Sequence, residues 1–174
     1  MAENDFHGMI QIYTGDGKGK TTAALGLATR AAGHGMKVIF IQFMKGEEGG
    51  EHFFSRDFKP FQIVQFGKGD LFRKSDAELA AESKQAYEFA ENALVGGKYD
   101  VVILDEIFIS HWRGLVSLQQ IMDLIEKKPA GVELVMTGRK APPEIVKLAD
   151  LVTEMLMIKH PFTKGVDQRK GIEY

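Results

Sequence analysis

Gly15, Gly17 and Gly19 occupy every second position of a short run, with Asp16 and Lys18 between them, and Lys20, Thr21 and Thr22 follow directly. Glycine lets a backbone curl close to an anion without Cβ clashes. The N–H groups of such a curl converge into a concave anion site. A helix starting near Lys20 adds its positive N-terminal end. The Lys20 ammonium then reaches phosphate oxygens, and the Thr21 hydroxyl can ligate a magnesium ion. The run departs from the common pattern G-x-x-x-x-G-K-[ST] at its start, where Thr14 holds the first glycine position and Gly15 comes a residue late. Context supports the phosphate reading. Met9–Tyr13 is a short apolar strand before the loop, and Ala23–Ala32 has helical rather than alternating character after it, which argues against a glycine-rich hairpin.

A second cluster follows downstream. Tyr99–Glu106 reads YDVVILDE, an apolar strand ending in two acids, as in a Walker B element. Asp105 is expected to hold the magnesium, usually through water. Glu106 has three open roles: orienting a water, touching the metal or contacting the nucleotide sugar. The plain alternative makes both of them surface acids at a strand end. Thr137-Gly138-Arg139 follows another apolar strand at the same sheet edge, and Arg139 is either a bidentate phosphate clamp or a solvated loop arginine. Trp112 and His111 follow the Asp105 strand, where an aromatic more often packs than serves as a substrate platform. His34, His52 and His160 show no metal-ligand spacing.

These residues need a scaffold that brings strand ends together. Strand-like runs alternate with helical ones along the whole chain: Lys37–Phe43, Phe61–Phe66, Val101–Leu104, Val132–Met136 and Leu151–Ile158 as strands, with helices over Lys20–Ala32, His52–Lys59, Ser75–Val95 and Ser117–Lys127. Gly33-His34-Gly35 ends the first helix. Ser75 and Glu78 form a capping-box pattern at the start of the longest. Pro142-Pro143 opens a short helix, and Lys159–Tyr174 reads as a polar tail. The alternation predicts an α/β fold, a mostly parallel sheet flanked by helices, with the ligand at the carboxyl ends of the strands. No repeat or linker divides residues 1–174, so a single domain is expected.

Bulk properties narrow the partners. The 174 residues carry a formal net charge of -2, which does not suggest a polyanion partner; nucleic-acid binding would need a local basic patch, so nucleic acid is not an expected partner. There is no cysteine, which excludes disulfides, thiolate zinc sites and cysteine nucleophiles, and fits a reducing compartment. The start, MAENDFHG, is polar and acidic, unlike a signal peptide. No apolar run reaches membrane-spanning length. The expectation is a cytoplasmic enzyme.

Taken together, YTGDGKGKTTAALGLATRAAGHGMKVIFIQFMKG, VVILDE, MTGRKAPPEI, ADLVTEM and KHPFTKGVDQRKGIEY closely resemble the P-loop-type ATP:corrinoid adenosyltransferases, over nearly the whole chain. That family's loop departs from the common pattern as this one does at Thr14. The resemblance implies a P-loop NTPase fold of RecA-like architecture. It implies transfer of the 5′-deoxyadenosyl group of ATP to cobalt(I) of a corrinoid, with release of triphosphate. It also implies an ATP bound reversed in the loop, so that C5′ faces the attacking cobalt. Lys18, Lys20 and Glu106 are then the residues expected at the chemistry. Gly15, Asp16, Gly17, Lys18, Gly19, Lys20, Thr21, Thr22, Arg139 and Phe72 are expected to bind the substrates, and Thr21, Asp105 and Glu106 the magnesium. Phe72 is the aromatic kept where close relatives carry an aromatic-x-Trp pair. A flavoprotein reductant and a homodimer are implied by the same likeness. The alternatives are a P-loop ATPase or small-molecule kinase, in which Glu106 orients water, and a nucleotide-sensing partner protein without turnover.

Overall fold

In a computed structural model describing residues 6–71 and 73–174, strands and helices alternate as β1 (Ile10–Thr14), α1 (Lys20–Gly33), β2 (Val38–Gln42), α2 (Gly50–Phe58), β3 (Gln62–Gln65), α3 (Asp76–Val95), β4 (Val101–Asp105), α4 (Ile107–Trp112), α5 (Leu118–Lys127), β5 (Glu133–Thr137), α6 (Pro143–Val146) and β6 (Leu151–Glu154). A 3₁₀ turn, Pro161–Lys164, lies beyond β6. Every strand pairing is parallel, and the order across the sheet is β3-β2-β4-β5-β1-β6. β5 therefore stands between the loop strand β1 and the Asp105 strand β4, the strand order of RecA-like P-loop folds.

The central strands are apolar at nearly every position because helices cover both faces. Alternate residues feed two separate cores. Ile39, Ile41, Val102, Leu104, Leu134 and Met136 pack with buried residues of α3, α4 and α5 on one face. Val38, Phe40, Val101, Ile103 and Val135 pack on the other, where α1 presents Ala24, Ala28 and Ala31. The helix on this second face meets the sheet with methyl groups alone at its buried apolar positions.

Local signals explain the boundaries. The capping box at α3 forms as expected: Glu78 N–H donates to Ser75 Oγ at 3.3 Å, and Ser75 N–H to Glu78 Oε2 at 2.8 Å. The sequence reading needs two corrections. The last strand, expected over Leu151–Ile158, ends at Glu154, because its partner β1 ends at Thr14: Met155 N–H donates to Thr14 O at 2.8 Å, and Met155 O then accepts from Gly17 N–H of the loop at 2.7 Å. The segment Lys159–Tyr174, expected as a polar tail, returns across the loop and exposes Phe162, Val166 and Ile172. Among the described residues no helix is long and apolar enough to cross a membrane.

Candidate functional site

β1 delivers the glycine loop and α1 begins at its end, so the loop sits at the carboxyl edge of the sheet. Gly15 and Gly19 adopt φ of 97° and 121°, which side chains oppose. Gly17 has a different reason to be glycine: a Cβ there would come within 2.7 Å of the carbonyl oxygens of Met155 and Leu156. The loop is thus pressed against the segment after β6. Thr14, at the departure from the usual pattern, accepts a hydrogen bond on Oγ1 from Ala141 N–H at 3.2 Å, which ties the loop strand to the turn after β5.

Lys20 is buried, and its ammonium donates to Gly15 O at 2.9 Å and Gly17 O at 2.8 Å, so the loop's own carbonyls hold it. Burial lowers its pKa, while Glu106 acts against that shift. Thr21 Oγ1 donates to Asp105 Oδ1 at 2.9 Å, and Thr137 Oγ1 donates to the same oxygen at 2.7 Å. Thr137 Oγ1 in turn accepts from Glu106 N–H at 3.0 Å. Gln42 Nε2 donates to Asp105 Oδ2 at 3.3 Å. Burial pushes the Asp105 carboxyl above the usual range against the pull of the Thr137 and Thr21 hydroxyls. Glu106 has positive φ, 61°, and begins α4. Burial and then the neighbouring charge of Asp105 raise its pKa to about 7.

Asp16, Gly17, Lys18, Gly19, Lys20, Thr21, Thr22 and Arg139 line one cleft of about 500 Å³, whose far wall is the C-terminal segment from Met157 to Glu173. That volume suits a small-molecule site. Arg139 reaches Asp16 Oδ1 at 3.3 Å, both side chains being exposed. Lys18 Nζ donates to Ile172 O and Glu173 Oε1, each at 3.1 Å. Arg169 grips the same carboxylate in a fork, and Glu173 is held down to about 2, chiefly by those Arg169 hydrogen bonds. A groove of about 650 Å³ between α2 and β3 lies at the amino ends of the strands and contains none of these residues.

The structure therefore brings together the loop residues Asp16 to Thr22 with Arg139 at the cleft, leaves Gly15 outside its lining, and places Asp105 and Glu106 behind it. Phe72 lies outside the described residues. Trp112 is exposed, lies away from the cleft lining, and carries the Lys140 ammonium 4.2 Å above its ring. Sequence reasoning missed the roles of four residues. Thr137 is a strand-end hydroxyl beside Asp105, and the end of its apolar run marks it. Gln42 ends the all-buried β2 and is signalled by a lone amide in an apolar run. The pair Arg169 and Glu173 gives no local signal, because its loop partner lies 155 positions away.

The donors at the loop are hard oxygens, from the Thr21 hydroxyl and the Asp105 carboxylate with Glu106 adjacent. Among the described residues no group of three or more His, Cys, Asp or Glu is placed to enclose a metal. A cation that takes most of its ligands from phosphate and water, as magnesium does, fits such a set.

A parallel sheet with a strand between the loop strand and the acid strand, and a lysine-bearing glycine loop at its carboxyl edge, defines a P-loop nucleotide-binding protein. The chain's relatives narrow the class. Residues 6–174 match the family model described as ATP:corrinoid adenosyltransferase BtuR/CobO/CobP. The corrinoid adenosyltransferase of Pseudomonas aeruginosa is 36% identical over 173 residues, covering 98% of this chain and 85% of that protein. That of Escherichia coli strain K12 is 34% identical over 172 residues, covering 98% and 87%. Corrinoid adenosyltransferase CobA of Salmonella typhimurium is 33% identical over 169 residues, covering 96% and 86%. The chain belongs to the ATP:corrinoid adenosyltransferase family.

Proposed function

We propose that this chain transfers the 5′-deoxyadenosyl group of ATP to the cobalt(I) of a corrinoid, and that the glycine loop holds the triphosphate throughout. The family match over residues 6–174 carries this reading. A cobalt–carbon bond forms at C5′, the C5′–oxygen bond breaks, and its electron pair leaves on inorganic triphosphate. Cobalt(I) is the nucleophile, so no protein base has to create one.

The protein contributes position and charge. The loop N–H groups and Lys20 would grip the triphosphate, with Lys18 and Arg139 at its exposed side. Thr21 and Asp105 would hold the magnesium with Glu106 at its edge, and the bound ion supplies positive charge to phosphate oxygens. Gln42 and Thr137 keep the Asp105 carboxylate aimed at Thr21. The ATP lies reversed in the loop, so that C5′ is presented to the corrinoid. On the family likeness, a flavoprotein supplies the electron that makes cobalt(I), and the working enzyme is a cytoplasmic homodimer. Sedimentation at micromolar concentration tests the last point.

The decisive experiment is product analysis with ATP, magnesium and chemically reduced corrinoid. Adenosylated corrinoid and inorganic triphosphate are expected in equal amounts. Orthophosphate alone, formed without corrinoid, would establish an ATPase instead.

A further inference from the structure

Lys18 belongs to the loop, yet both of its partners come from the C-terminal segment. Its ammonium meets the carbonyl of Ile172 and the carboxylate of Glu173. Arg169 holds that carboxylate from the other side, with Nη2 at 3.0 Å from Oε1, Nε at 3.2 Å from Oε2, and the backbone N–H at 2.8 Å from Oε2. The segment is fastened to the loop at its near end by the Gly17–Met155 hydrogen bond. An anionic oxygen thus stands against a cradle lysine, in the wall of the cleft where the phosphates are read to lie.

To an ammonium, a carboxylate oxygen and a phosphate oxygen are the same kind of partner. We propose that Glu173 is a stand-in anion: it competes with the triphosphate for the Lys18 ammonium, yields it as the triphosphate binds, and takes it back as inorganic triphosphate departs. This rests on the reading that the loop binds triphosphate.

Three observations support the exchange. Glu173 does not depend on Lys18, because the Arg169 fork and backbone N–H remain its partners after Lys18 leaves. The Lys18 side chain is 47% exposed, so its swing between two anions takes place at a wet surface and not in the core. Lys20, in contrast, waits on neutral carbonyls of its own loop. Of the two lysines Lys18 and Lys20, Lys18 is the one paired with a full charge, and that charge comes from the C-terminal segment, so nucleotide binding there disengages the C-terminal wall.

The test is calorimetric titration of inorganic triphosphate into the full chain. E173Q is expected to bind it roughly two- to fivefold tighter than the unsubstituted protein, the span a surface ion pair can supply. E173A gives the same direction and guards against an effect peculiar to the amide. In a K18A background the gain is expected to vanish, as a double-mutant cycle requires for residues acting on each other. Weaker or unchanged binding by E173Q and E173A would make Glu173 a brace and overturn the proposal. A gain that persists without Lys18 would assign it to the freed Arg169 and overturn it too. K20A is the separate control: if it binds triphosphate as well as the unsubstituted protein does, the loop reading itself fails and the exchange falls with it.

Discussion

Two carboxylates meet loop side chains from opposite sides. Asp105 is 1% exposed, accepts from Thr21 and Thr137 on one oxygen and from Gln42 on the other, and sits behind the cradle. Glu173 meets Lys18 at the solvent rim, on a segment without a buried side chain of its own. The buried contact fixes geometry, since any rearrangement strands a polar group away from water. The rim contact is screened and exchangeable. The cradle is thus rigid where charge must be placed to within a fraction of an ångström and soft where ligands must come and go.

The sharpest way to break this contrast is at Lys20. Lys20→Ala is expected to lower kcat/KM for corrinoid adenosylation by about 10²- to 10³-fold, as for a removed charge-stabilising donor. Retention within tenfold would remove Lys20 from the chemistry. Next comes Asp105→Asn, expected to lose about 10²-fold in activity and to need more magnesium for half-saturation. Omitting magnesium, or chelating it, is expected to abolish turnover while leaving the far-ultraviolet circular dichroism unchanged.

Glu106 sharpens the comparison through pH. Its pKa in the fold is about 7, above the ordinary glutamate value. Between those values the folded chain binds more protons than the unfolded one, so stability falls as pH rises through the window. Urea unfolding without nucleotide or metal, from about pH 5 to about pH 8, is expected to show a decline on the order of 2 kcal/mol that Glu106→Gln reduces. Stability rising over that range would contradict it. The smallest effect belongs to the rim: Lys18→Ala and Arg139→Ala are each expected to raise KM for ATP by less than about tenfold, an effect that shrinks with added salt.

Much of this was legible in the residues. Strands buried on both faces read as unbroken apolar runs, so β2, β4 and β5 stood out. The loop announced itself by glycine spacing. Other features depended on partners that local pattern does not reveal. α4 went unread because Glu106 starts it in a left-handed conformation without a capping side chain. The apolar run LVTEMLMI looked like a full strand, yet its backbone after Glu154 bonds to Thr14 and Gly17. Asp105 could be named from sequence, but its three hydrogen-bond donors come from separate elements and only the fold collects them.

The alanines of α1 carry a consequence for the cradle's aim. Ala24, Ala28 and Ala31 let that rod lie close to the sheet. At about 1.5 Å per residue, Ala28 is roughly 12 Å along the axis from Lys20. A bulkier side chain wedged there would tilt the rod about its middle and deliver the displacement at its tip, pulling Thr21 away from Asp105. How well the phosphate end is aligned is therefore decided by missing bulk two turns away, at residues that touch no ligand.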